Sequence, residues 1–437
     1  MVPFKFVHAA DLHLDSPFQG LAGLPAAVRA CLKQSTFEAL GNLVELAIRE
    51  RVDFVLVAGD VYDLADRSLR AQLRFQKAAL RLQEAGIALY LVHGNHDPAD
   101  GRAARLQWPD NVTVFGTDRV ETVNVLLRDG RRAAQLHGIS YPTAAVTDNY
   151  AKRFPVPADR SCYQIGLLHT NVEGEEGHAN YAPCTRQDLE RAGMNYWALG
   201  HVHTRRTLGE APWIVYPGNA QGRSIRETGA KGCYVVEVAE DGQAALTFHA
   251  VDAVRWERLA VDIERLQTEE ELREAVRQAM EQARAAADGR PVVVRLELTG
   301  RGPLHPVLQR GHALKELLEE LREGEVPSAA GDGWTEEGPA GPFVWLESVR
   351  VRTGVPADLA RLAAEDSFAG DLVRLADSLL DDEEAFEAFC REALAPLGQQ
   401  SKLAGLLGEL PGEERAGWLR AAREMALDSL LDEEGTA

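Results

Sequence analysis

Along the first 250 residues, short apolar runs alternate with longer stretches in which apolar positions recur every three or four residues. Residues 4–9, 54–58, 88–92, 164–168 and 196–199 are brief, rich in apolar and β-branched types, and bounded by Gly, Asp or His. That is the pattern of strands buried on both faces. Between them, residues 26–51 and 67–85 carry an apolar stripe with charges on the opposite side, which predicts two amphipathic helices. Further strands are predicted at 112–115, 120–127, 133–139, 213–216, 233–238 and 245–251. Strands first alternate with helices and then follow one another directly, so the expected class is α/β, a layered β-sandwich core flanked by helices.

After residue 250 the pattern changes. A helix is expected over 264–287, a strand over 291–299, a second helix over 307–323 and another strand over 343–352. The Gly, Pro and acid-rich stretch 325–342 reads as a loop or hairpin tip. From Pro356 onward nearly all residues are helix formers. The chain therefore divides into an α/β core at 1–252, a small α/β domain at 253–355 and an acidic helical region at 356–437. A length of 437 residues accommodates this at roughly 100–200 residues per domain.

Composition narrows the class. With 45% hydrophobic and 26% charged residues, disorder is excluded. No apolar window approaches the roughly 18 residues of a transmembrane helix, and the opening MVPFKFVHAADLHLDSP has no secretory pattern, so a cytoplasmic location is expected. Cys31, Cys162, Cys184, Cys233 and Cys390 are scattered, odd in number and never paired as C-x-x-C. They read as reduced thiols, which excludes a disulfide framework and a cysteine zinc site.

The chemistry lies at the strand ends. Asp11 and His13 follow the first strand, Asp60 the second with Asp63 three residues on, and Asn95, His96 and Asp97 the third. His169 follows a later strand, and His201 and His203 another. In α/β sheets such loops converge on one crevice. Gly59, Gly94 and Gly200 precede the polar residues and permit a sharp turn and close approach. D-x-H and H-x-H place both side chains on one side of an extended segment. Two aspartates, one asparagine and four histidines form a mixed oxygen and imidazole set suited to Mn²⁺, Fe²⁺ or Zn²⁺. Seven donors exceed the needs of one ion, so two ions sharing a carboxylate is the economical reading.

DLH, GDVYD, GNHD, the lone His169 and GHVH, in this order, resemble the five motifs of the calcineurin-like metallophosphoesterase superfamily, over about residues 4–220. The resemblance implies that Asp60 bridges two metals, Mn²⁺ foremost, with Asp11, His13 and His203 on one ion and Asn95, His169 and His201 on the other. It further implies that His96 gives a proton to the leaving oxygen, that Asp97 orients the His96 ring and that Asp63 contacts the transition state. The protein-phosphatase branch has an arginine where this chain has Leu64, which disfavours that branch. DLHLDSPFQGL, LLHTNVEG, NYAPC and VYPGNAQGRSIRETGAKG resemble bacterial DNA repair exonucleases of the SbcD and YhaO type. The stretch 255–355 matches that family's capping domain in position.

That likeness implies a DNA exonuclease, with endonuclease activity also open, and a partner: an ABC-type coiled-coil ATPase of the SbcC kind, engaged through helices within 357–437. The chain has no G-x-x-x-x-G-K-[ST] and so no P-loop of its own. A homodimer is a further expectation, and a membrane partner is not expected. Arg205, Arg206, Arg223 and Arg226 are candidates to meet phosphate, and equally are ordinary solvated charges. Asp15 fits a turn cap as well as a functional role, and His178 fits either a substrate contact or a surface position. Two other functions stay open: a small-molecule or cyclic-nucleotide phosphodiesterase, and a mainly scaffolding subunit of an ATPase complex.

A net charge of −20 argues against a phosphate-rich partner. Its distribution changes the picture. Residues 1–250 hold 26 Lys and Arg against 28 Asp and Glu, whereas residues 357–437 hold 7 against 19. The acidity belongs to the tail, and two divalent ions would leave the catalytic half neutral or slightly positive.

Overall fold

The computed structural model describes residues 1–18, 24–63, 68–100, 107–174, 179–309, 311–325, 334–335, 338–339, 342–398, 407, 410 and 412–434. His178 and Leu64 lie outside the described residues.

The five buried runs form the centres of two six-stranded sheets. In the first, β1 (Phe4–Ala9), β2 (Phe54–Ala58), β3 (Ala88–Val92) and β4 (Val112–Val114) run parallel. The sheet is completed by an antiparallel pair, β11 (Gly232–Val238) and β12 (Ala244–Ala250), in the order β12–β11–β1–β2–β3–β4. The second sheet holds β5 (Glu121–Leu126), β6 (Arg132–Gly138), β7 (Tyr163–His169), β8 (Tyr196–Gly200), β9 (Arg206–Glu210) and β10 (Trp213–Tyr216), ordered β5–β6–β7–β8–β10–β9. Here β6, β7, β8 and β10 are parallel.

The alternation of each strand serves two cores. Phe4, Phe6, Phe54 and Leu56 of the first sheet pack against Tyr163, Ile165, Leu167 and Tyr196 of the second. The Phe6 and Phe54 rings stack at 5.0 Å, and Tyr196 meets Phe6 edge-on at 5.3 Å. The opposite faces of the same strands, through Val7, Val55 and Leu89, pack against α1 (Ala26–Arg49) and α2 (Leu69–Glu84) through Leu40, Leu43, Phe75 and Leu82. Being buried on both faces explains why these strands read as unbroken apolar runs. The outer face of the second sheet is covered by Tyr150, Phe154 and Leu189, the last on α3 (Arg186–Arg191).

Beyond the sandwich, β13 (Arg255–Asp262), α4 (Glu269–Ala286), β14 (Val292–Arg301), α5 (His305–Gln309), α6 (Gly311–Glu325) and β17 (Val344–Gly354) follow, with a small ribbon of β15 (Trp334–Thr335) and β16 (Gly338–Pro339). A three-stranded sheet is ordered β13–β14–β17. Helices at Leu359–Ala364, Phe368–Asp381, Glu383–Gly398 and Gly412–Glu434 complete the described chain. Two compact units result: residues 1–258 with 283–294 and 325–347, and residues 259–282 with 295–324 and 348–437. Among the described residues no helix is long and apolar enough to cross a membrane.

The apolar pattern does not mark β9, α3 or β13. β9 is a largely polar edge strand, RTLGE, and α3 is held by a Thr185–Asp188 capping box rather than by an apolar stripe. The helix expected from 264 begins at Glu269, and the stretch expected as a helix over 307–323 is helical at His305–Gln309 and Gly311–Glu325.

His8 on β1 is fully buried, with Nδ1 2.9 Å from the Tyr196 hydroxyl and Nε2 3.1 Å from the Leu199 carbonyl oxygen. Burial disfavours its cation and pulls its pKa down to about 3. Below an unfolded value of about 6.5 the unfolded chain binds a proton that the folded chain refuses, so stability falls as pH drops from about 6.5 toward 3. His8→Phe should therefore reduce the pH slope of denaturant-measured stability across that window by about 1.4 kcal/mol per pH unit. A slope matching the parent's would contradict the assignment.

Candidate metal centre

β1, β2 and β3 of one sheet and β7 and β8 of the other all deliver their carboxyl ends to one crevice, and the strand-end polar residues meet there. The loops are held in costly conformations. Asp11 (φ 52°), His13 (φ 42°), Asp60 (φ 52°) and His201 (φ 102°) all occupy the left-handed region. Four such residues around one crevice are strain of the kind found at functional sites.

Close approach depends on glycine. A Cβ on Gly94 would fall 2.3 Å from Asp60 Oδ1 and 2.8 Å from His169 Nε2, inside the cradle itself. A Cβ on Gly200 would fall 1.9 Å from the Ala58 carbonyl oxygen, which is backbone and cannot swing away. Gly200→Ala should cost about 3 kcal/mol in a chemical denaturation, at the upper end of overpacking penalties. A loss below about 1 kcal/mol would show that these strand ends are not so closely packed.

Two sets of imidazoles line the crevice. In the first, His13 Nδ1 lies 2.9 Å from Asp63 Oδ1 and His203 Nδ1 lies 2.8 Å from Glu227 Oε1. Each carboxylate accepts the Nδ1–H, and the Nε2 atoms face one another 3.1 Å apart. Asp11 completes this group. In the second set, His169 Nδ1 donates to the Ala58 carbonyl at 2.9 Å and His201 Nε2 donates to the Ala179 carbonyl at 2.7 Å. Their other nitrogens converge on Asn95 Oδ1, at 2.9 Å from His169 Nε2 and 3.0 Å from His201 Nδ1. Asp60 stands between the sets, with Oδ2 3.3 Å from His169 Nε2 and 3.9 Å from His13 Nε2.

Nitrogen lone pairs and carboxylate oxygens, each ring fixed through its other nitrogen, form a donor set that fits divalent cations. The facing Nε2 pair supports that fit, since two neutral imidazoles that both donate from Nδ1 turn two lone pairs toward one another. Burial, then the Arg223 charge, lowers the His13 pKa to about 4, which keeps its ring neutral and competent as a donor. Burial raises Asp11 to about 6. For Asp60 burial acts in the same direction, but the imidazoles of His169, His13 and His96 outweigh it and hold the carboxylate well below the usual range. Burial would lower His169, yet Asp60 and Asp11 raise it to about 9. Without cations, the buried acids and imidazoles compensate one another.

His96 sits at the rim with 44% of its side chain exposed. Its Nδ1 is 2.7 Å from Asp63 Oδ1. Here the geometry corrects the expectation for Asp97. That carboxylate accepts hydrogen bonds from the backbone N–H groups of Gly94 (2.7 Å), Asp60 (3.2 Å) and Val61 (2.9 Å). It pins two loops together, and Asp63 orients the His96 ring. The motif GNHD suggests the wrong partner because adjacency in sequence is not adjacency in space.

Of the four arginines, Arg223 reaches the site, with Nη1 3.3 Å from Asp63 Oδ2. Arg205 lies over the Phe248 ring at 3.9 Å, and Arg205, Arg206 and Arg226 are exposed. Asp15 accepts from the Ser68 hydroxyl at 2.6 Å, at the start of α2. Glu227 is a site residue that the motifs do not single out. Its only sequence signal is membership of the segment VYPGNAQGRSIRETGAKG, and its partner His203 lies 24 residues away.

A family model described as calcineurin-like phosphoesterase matches residues 4–205, and one described as metallophosphoesterase YhaO, middle domain, matches residues 256–354. The chain is 40% identical over 373 residues to the uncharacterized metallophosphoesterase YhaO of Bacillus subtilis (strain 168), covering 85% of this chain and 86% of that one. It is 24% identical to the DNA double-strand break repair protein Mre11 of Sulfurisphaera tokodaii, over 47% of this chain and 50% of that protein. It is 22% identical to one of the subunits of the SbcCD nuclease of Bacillus subtilis, over 55% of this chain and 68% of that protein. With the sandwich, the converging loops and these matches in hand, the chain belongs to the calcineurin-like metallophosphoesterase family.

Proposed function

We propose that this metallophosphoesterase is a DNA nuclease that uses two divalent ions, Mn²⁺ foremost, to hydrolyse phosphodiester bonds in DNA repair. The observation that carries the reading is the pair of imidazole sets on either side of Asp60, each with its own supporting acceptors. On this reading Asp11, His13 and His203 hold one ion, Asn95, His169 and His201 the other, and Asp60 both. Two such ions, when bound, supply Lewis acidity and neutralise charge on the phosphate in displacement.

The protein's own part is to hold and move a proton. Asp63 accepts at His96 Nδ1, which leaves Nε2 to donate to the departing sugar oxygen from the open side of the crevice. The net charge of −2 over residues 1–250 leaves this crevice open to a polyanion. Likeness to proteins whose names mark them as repair proteins and nucleases supports DNA as the substrate.

The division into 1–252, 253–355 and 356–437 is part of the same reading, supported by the second family match over 256–354. The acidic helices then serve as the docking face for an ABC-type ATPase. Phe368 and Met425, 74% and 72% exposed, are apolar side chains that such a face would cover.

The test is Mn²⁺-dependent cleavage of end-labelled single- and double-stranded DNA, with duplex DNA also used to compete against hydrolysis of bis-p-nitrophenyl phosphate. A DNA nuclease cleaves the label and is inhibited by duplex with a steep salt dependence. Hydrolysis of the small ester with neither cleavage nor competition would contradict DNA as substrate and favour a small-molecule phosphodiesterase.

A further inference from the structure

Two carboxylates orient three imidazoles of the crevice. Asp63 Oδ1 lies 2.9 Å from His13 Nδ1 and 2.7 Å from His96 Nδ1, and Glu227 Oε1 lies 2.8 Å from His203 Nδ1. One guanidinium lies between those carboxylates. Arg223 Nη1 donates to Asp63 Oδ2 at 3.3 Å and to Ser16 Oγ at 3.1 Å, and Nη2 is 3.6 Å from Glu227 Oε1. The Arg223 backbone N–H donates to Glu227 Oε2 at 2.7 Å, an oxygen that also accepts from Asn219 Nδ2 at 3.0 Å. The Arg223 side chain is only 17% exposed.

We propose that Arg223 is a positioning residue: through Asp63 and Glu227 it sets the orientation of His13, His96 and His203, and it is not a phosphate-binding arginine. A guanidinium already placed against two carboxylates has most of its charge answered. Its fork geometry can meet both anions at once, which a lysine point charge cannot. Glu227 is the second half of the device. It is held by two N–H donors on Oε2, which leaves Oε1 turned to accept the His203 Nδ1–H. Removing the carboxylate behind a metal-facing histidine typically costs about 10–100-fold in affinity or activity.

The inference rests on the two-metal reading, and its test separates the two. Mn²⁺ is titrated by calorimetry into chelator-stripped full-length protein, for the parent, Arg223→Met, Arg223→Lys and Glu227→Gln. The kcat and KM for bis-p-nitrophenyl phosphate are measured in parallel. Glu227→Gln should weaken Mn²⁺ binding about 10–100-fold. Arg223→Met should lower kcat and Mn²⁺ affinity together, with KM within about twofold of the parent. Arg223→Lys should fall between the parent and Arg223→Met, because the charge is kept and the fork is lost. Should Arg223→Met fail to fold, Arg223→Lys and Glu227→Gln carry the same comparison.

A rise in KM with kcat and Mn²⁺ affinity unchanged in the Arg223 variants would make Arg223 a phosphate binder and overturn the inference. Parent-like behaviour in all three variants would overturn it as well. A parent that binds no Mn²⁺ at all would overturn the reading beneath it.

Discussion

Asp60→Asn should lower Mn²⁺-dependent phosphodiester hydrolysis by on the order of 10³-fold and leave fewer than two ions per chain. The expectation follows from where Asp60 stands. It is fully buried, with Oδ2 3.3 Å from a nitrogen of one imidazole set and 3.9 Å from a nitrogen of the other. Asparagine keeps the shape, tolerates the left-handed backbone (φ 52°) and can still accept the His96 backbone N–H that now reaches Oδ1 at 2.8 Å. The substitution therefore removes a charge without opening a hole. Mass-spectrometric metal content beside the rate checks it, and a variant that kept two ions and parental turnover would remove Asp60 from the centre.

His96→Ala should behave differently. The ring is nearly half exposed and lies outside both imidazole sets, so its loss should leave metal content unchanged. Turnover on DNA should fall ~10²–10⁴-fold, the range of a lost general acid. The defect should shrink on bis-p-nitrophenyl phosphate, because p-nitrophenolate departs without a proton whereas a sugar alkoxide does not. That dependence on the leaving group distinguishes proton donation from substrate binding, which would weaken both reactions alike. Equal losses on the two substrates would contradict the role of His96. Loss of metal in His96→Ala would contradict the separation of its role from that of Asp60.

Asp60 and His96 both stand in motifs, and both motifs end strands that the residue pattern marks clearly. Strands buried on both faces write their full length as apolar runs, so β1, β2, β3 and β10 are legible at their observed bounds. The polar residues that end β1, β2, β3, β7 and β8 can be grouped because strand carboxyl ends share one side of a sheet. Edge strand β9 and helix α3 are not legible, since neither has a buried face that imposes a period on its residues.

In the site, the convergence of Asp11, His13, Asp60, Asn95, His169, His201 and His203 is legible, whereas the groups that orient them are not. Asp63 serves His13 from 50 residues away, and Glu227 serves His203 from the far side of a loop. The carbonyls of Ala58 and Ala179 act through backbone atoms that no side-chain motif can mark. Asp97 shows the converse: it sits inside a motif and points away from the ring beside it, toward three amides.

The most direct measurement is the hydrolysis of bis-p-nitrophenyl phosphate while Mn²⁺ is added in stoichiometric steps to chelator-stripped protein. The rate should climb to a plateau at two equivalents per chain, the number that the two imidazole sets and the Asp60 carboxylate between them would hold. A plateau at one equivalent, or a rate indifferent to Mn²⁺, would contradict it.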